Sequence, residues 1–142
     1  MGVLLGLLAF SASMLLLPDK VCHRLPGGDE LQGECLGLSA RLSEQGRCRA
    51  LTALRTEILS SNNDVVIAGG LEGVVASGAC PEIALLFSQL PSGTPSHVPP
   101  LVSDAWTRCH RHEPYSLSGA RRTPFQVAPE NLIAEVRNAR CQ

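Results

Sequence analysis

Residues 48–73, CRALTALRTEILSSNNDVVIAGGLEG, carry the clearest local pattern in the chain, and their reading decides the fold. Leu51, Leu54 and Ile58 recur at i, i+3 and i+7 with Ala50, Ala53 and Leu59 beside them, so residues 48–60 are expected to be an amphipathic helix. Ser60, Ser61, Asn62 and Asn63 favour the turn conformations that close a helix. Asp64 then opens VVIA, a β-branched run followed by Gly69 and Gly70. Such a run reads as a short strand buried on both faces, and the glycines Gly69, Gly70 and Gly73 read as its exit turn. Cys80, Pro81 and Glu82 start a second helix, with Pro at its first position and an acid in its first turn, and Ile83, Leu86, Phe87 and Leu90 as its apolar face. Helix, strand, loop and helix predict an α+β or small α/β fold, with three to four helices around a short buried sheet. Partner strands for residues 65–68 would come from residues 21–25, 98–102 and 124–127.

Outward from that centre, residues 20–33 contain Pro26, Gly27 and Gly28 together and read as a surface loop. Leu31, Cys35, Leu38 and Leu42 predict a short helix over residues 34–45, stopped at Gly46. Residues 91–100, PSGTPSHVPP, read as a Pro-rich loop. Residues 129–140 predict a final helix with Leu132, Ile133, Val136 and Ala139 on one side. Cys141 comes next, as a tether for a tail that would otherwise fray.

The 142 residues are the length of one ordinary domain, and 44% hydrophobic content is enough for a core, so residues 20–142 are expected to form a single domain. Twelve Lys and Arg against 13 Asp and Glu leave a net charge of -1, which excludes a broad basic surface for nucleic acid. Residues 1–17 contain no charged side chain, and the apolar run 3–17 is shorter than the roughly 20 residues of a membrane-spanning helix. It fits the core of a signal peptide or signal anchor, with Ser11, Ala12 and Ser13 near a cleavage point, and any membrane contact would run through it. No basic residue precedes it, and a buried N-terminal helix is the other reading. Behind that leader stand six cysteines, Cys22, Cys35, Cys48, Cys80, Cys109 and Cys141, an even number that predicts three disulfides among 15 pairings.

Four constellations bear on chemistry. DVVIAGGLE, residues 64–72, with Cys48 at the head of the preceding helix, resembles the segment of thiolase and ketoacyl-synthase enzymes in which a nucleophilic cysteine starts a helix that leads into a strand. The resemblance spans about 25 residues and implies an intracellular acyl-transfer fragment with Cys48 as nucleophile, activated by the helix N-terminus. The chain has neither that family's GHP-type histidine motif nor its second CxG cysteine motif. Cys109 and His112, spaced CxxH, are the candidate metal ligands, with His23, Cys80 and His97 farther off; they close no four-ligand set, so no metal is expected. Gly69 to Gly73 lack the GxGxxG order of a dinucleotide site, and no cofactor is expected. Arg121 and Arg122, with Arg108 and Arg111 nearby, form a small basic cluster that suits an anion or a dibasic processing point.

These readings converge on a small secreted or lumenal protein, stapled by disulfides and acting by binding another protein as a ligand, an inhibitor or an accessory subunit. No assembled catalytic set is expected. The alternatives are the thiolase-like fragment and a small subunit anchored in a membrane assembly by residues 3–17.

Overall fold

Asn63 decides how the central stretch folds. Its backbone is extended (φ -75°, ψ 113°) and its side-chain oxygen accepts from the N–H groups of Val65 and Val66, at 3.0 and 3.4 Å, which makes it the N-cap of a helix. In the computed structural model, which describes residue 22 and residues 28–141, that helix runs Asp64–Ala76 and takes in VVIA and all three of the glycines after it. The expected buried strand is therefore a buried helix, and the predicted α+β or α/β class is overturned: the described residues contain seven α-helices and no strand or sheet.

The helices are α1 (Gly28–Leu42), α2 (Glu44–Ser60), α3 (Asp64–Ala76), α4 (Cys80–Ser88), α5 (Val98–His110), α6 (Leu117–Arg122) and α7 (Pro129–Glu135), succeeded by a 3-10 turn, Val136–Asn138. Both described segments offered as partner strands are otherwise. Residues 98–102 open α5, with Pro99 and Pro100 in the first turn, where a missing N–H costs no helical bond, and residues 124–127 are irregular. Of residues 21–25 only Cys22 is described, and it is helical. The expected loop at 20–33 is corrected from Gly28 onward, where α1 begins. Gly46 does not stop a helix: Ser43 breaks α1 from α2, its Oγ accepting from the Gly46 N–H at 2.9 Å as the N-cap of α2. The Pro-rich segment is irregular up to His97, and the last predicted helix is split into α7 and the 3-10 turn. The leader readings for residues 1–17 lie outside the described residues.

Glycine explains the packing of α3. Gly33 and Gly37 on α1 face Gly69 and Gly73 on α3, each pair spaced four apart, and a Cβ at Gly33 would come within 2.9 Å of the Val65 carbonyl oxygen. One at Gly69 would meet the backbone of Gly33, and one at Gly73 that of Gly37. Backbone thus lies against backbone along both helices. They run parallel: Asn63 Nδ2 donates to Asp29 Oδ2 (2.6 Å) at the N-terminal end, and Arg41 meets Glu72 (3.5 Å) at the other. Antiparallel α2 returns the chain between them. Leu36, Leu54, Ile67, Leu71, Ile83, Leu86, Val98 and Val102 form the dry centre of one continuous core.

Candidate functional site

Each sequence candidate among the described residues has a definite place. Cys48 lies in the second turn of α2 and is bonded to Cys141; Cys22 is bonded to Cys35 and Cys80 to Cys109, and no cysteine among the six is free. A half-cystine in a helix interior has neither the thiolate nor the helix-terminal position that a nucleophile needs. With DVVIAGGLE helical as well, the features that carried the thiolase resemblance are absent. His110 meets Glu135 at 2.8 Å, His112 is exposed with a left-handed backbone (φ 56°), and His97 contacts the Asn62 carbonyl at 3.3 Å. Cys109 and His112 are not brought together with a third ligand: no group of three or more His, Cys, Asp or Glu is placed to hold a metal among the described residues. His23 is outside them.

The buried polar groups, which sequence reasoning missed, act as fasteners. Asp104 is fully buried on α5, where it accepts from Arg108 Nε at 2.8 Å and from the Phe125 N–H at 3.0 Å. Ser103 Oγ donates to the Phe125 carbonyl at 3.3 Å, and the Arg108 and Arg111 guanidinium groups lie 5.0 and 4.2 Å from the Phe125 ring centre. Glu82, buried on α4, accepts from the N–H groups of Arg140 and Cys141 at 2.8 and 3.2 Å. Trp106 Nε1 donates to Glu135, which His110 also meets, so α7 is strapped to α5. Arg121 pairs with Asp64 at the start of α3, and that hydrogen bond holds the Asp64 carboxyl below its ordinary value. The Tyr115 hydroxyl is buried without a partner among the described residues, and burial pushes it well above its ordinary value, with the Asp104 charge adding to the shift.

Among the described residues Leu59 and Ile133 are exposed singly, and three exposed leucines gather on the outer face of α1. Leu31, Leu38 and Leu42, at i, i+7 and i+11, are 36, 45 and 52% exposed on one side of that helix. Glu34 and Arg41 edge the stripe. Beside it a cleft of about 320 Å³ runs between α1 and α3, lined by Glu34, Gly37, Leu38, Arg41, Gly69 and Glu72. A second cleft of about 310 Å³ continues past the Arg41–Glu72 pair toward His112 and Tyr115. Gly37 and Gly69 form the floor of the first cleft, where no side chain fills the space above the seam. Scattered single leucines are ordinary on a surface, whereas three on one helical face beside a groove form a patch.

Comparison with protein-family models, with curated proteins and with solved structures finds no match for this chain. The fold and its cross-links define the class by themselves: a small all-helical protein stapled by three disulfides. No helix among the described residues is long and apolar enough to cross a membrane.

Proposed function

We propose that this protein works in the secretory-pathway lumen or outside the cell as a disulfide-stapled helical module that binds another protein. The observation that carries the reading is the leucine face of α1 on a body whose described cysteines are all paired. Paired cysteines fit an oxidising compartment. The occupant that suits the face is an amphipathic helix of the partner, its apolar residues set against Leu31, Leu38 and Leu42. Glu34 has no charged partner among the described residues, whereas Arg41 and Glu72 neutralise one another, so a partner helix with a basic residue beside its apolar stripe completes the charge pattern.

Two measurements test this. Mass analysis of the mature protein is expected to find six half-cystines, and free thiols would refute the compartment. A photoreactive residue at position 38 is expected to form protein adducts that one at exposed Thr56, on α2, does not form. Leu42→Glu or Glu34→Arg should cut the position-38 adducts at least fivefold. Equal adducts at 38 and 56, or insensitivity to both substitutions, would remove the α1 face as the binding surface.

A further inference from the structure

We infer that the bond between Arg122 and Thr123 is a proteolytic processing site, and that its cleavage yields a two-chain protein held together by the Cys48–Cys141 disulfide. Arg121 and Arg122 are the one place in the chain where two Lys or Arg residues are adjacent. They begin the run 121–131, in which no residue is buried; the other run of that length among the described residues, 87–97, contains no Arg or Lys. Exposed chain without buried side chains is where proteases gain purchase.

Cleavage requires the residues around the bond to become extended, and α6 is built to allow it. The helix has six residues, it is packed through the buried Ala120 and the part-buried Leu117, and an exposed ion pair, Arg121 with Asp64, adds its tie to α3. The Arg121 side chain is 56% exposed, so water competes for that pair. Beyond Arg122 the chain stays irregular to Ala128. Pro124 lies one residue past the scissile bond, leaving Thr123 to supply an ordinary peptide nitrogen. Hydrolysis consumes one water, breaks the C–N bond, and leaves a carboxylate on Arg122 and an ammonium on Thr123.

The downstream piece remains fixed after the cut. Phe125 is held by Asp104 and Ser103, Leu132 is fully buried, Glu135 is bonded by Trp106, and the backbone of Arg140 and Cys141 is bonded by Glu82. Cys141 is also linked covalently to Cys48 on α2. The cut therefore frees the C-terminal end of α6, while the new N-terminus at Thr123 remains on the surface, two residues before the anchored Phe125.

This inference rests on the lumenal reading, since enzymes that read paired basic residues meet substrates in that pathway. The test uses the purified, oxidised full chain and a calcium-dependent serine endoprotease specific for paired basic residues. The expected result is one cut: a single band without reductant, and with reductant a separate short piece whose sequence begins TPFQVAP. Arg122→Ala should slow the cut at least tenfold. Reduced, alkylated chain serves as the control for recognition of the sequence itself. If that control is cut after Arg122 while native protein with three intact disulfides resists, the processing site is refuted and the compartment is untouched. Departure of the 123–142 piece without reductant would refute the two-chain form.

Discussion

At the scale of single residues, Gly69 and Tyr115 invite opposite experiments. A methyl at Gly69 falls on the Gly33 backbone, at 2.5 Å from its Cα, and backbone cannot rotate aside. Gly69→Ala is therefore expected to destabilise by about 2–3 kcal/mol, the cost of overpacking, as measured by urea unfolding without reductant. Gly93, where an added Cβ meets nothing within 4 Å, should accept Ala with a change below about 0.5 kcal/mol. Tyr115 is the chain's one tyrosine, so phenolate absorbance reports on it alone. Its hydroxyl titrates higher when folded than when unfolded, so the folded state holds the proton longer and stability falls as pH rises above the ordinary value of 10.0. Phenolate absorbance should appear together with loss of helix, and a titration near pH 10 that precedes unfolding would contradict the burial. Tyr115→Phe should remove this alkaline dependence and stabilise by about 1 kcal/mol, since an unpaired buried hydroxyl is lost. Asp64 supplies the acid counterpart. Its lowered value means that the clamp to Arg121 is fully present above 3.8 and is lost as pH falls through the lower folded value, a dependence that Arg121→Ala should weaken.

At the scale of elements, the end of the C-terminal segment, residues 136–141, is held by fasteners of different kinds, the disulfide and the Glu82 carboxylate among them. The Cys48–Cys141 bridge spans 93 residues, and by loop closure it is worth about 4–5 kcal/mol, against about 3 for the 13 residues of Cys22–Cys35. A Cys48→Ala, Cys141→Ala double variant should lose most of that amount, and amide exchange should accelerate first at residues 136–141, where the covalent tie is gone and the Glu82 hydrogen bonds to Arg140 and Cys141 remain. The amphipathic faces of α2 and α4 were readable because apolar residues recur there at helical spacing on a half-buried element. The pattern failed at α3, whose apolar residues lie on every side: Val66, Ile67, Ala68, Leu71, Val74 and Val75 are all buried. Without a polar face the period vanishes, three β-branched residues imitate a strand, and the glycines imitate its end. The informative signal was the pairing of Gly33 and Gly37 with Gly69 and Gly73, which lets two helices approach more closely than side chains permit. Exposure could not be read from the α1 pattern, since Leu38 and Leu42 point outward although the same spacing predicts a core face. Asp104 and Glu82 were illegible because each serves backbone groups far along the chain, at Phe125 and at Arg140 and Cys141.

At the scale of the whole molecule, the connectivity of the bridges is first to second, third to sixth and fourth to fifth, so none crosses another. That arrangement imposes an order of oxidation during synthesis. In an oxidising compartment Cys22 and Cys35 can close as soon as α1 emerges, and Cys80 and Cys109 as soon as α5 does. Cys48 emerges third, yet it must stay reduced until the last of the six cysteines is made. During that interval it is an open thiol in a chain that already holds Cys22 and Cys35 and is about to gain Cys80 and Cys109, and pairing with any of the four would block the C-terminal strap. Newly made chains trapped by rapid alkylation should therefore carry label at Cys48 while the 22–35 and 80–109 bridges are already formed, and uniform labelling of all six would contradict that order. Of the three bridges, Cys48–Cys141 is therefore the last that can close, and until it does the unpaired sulfur of Cys48 marks a C-terminal strap that is not yet fastened.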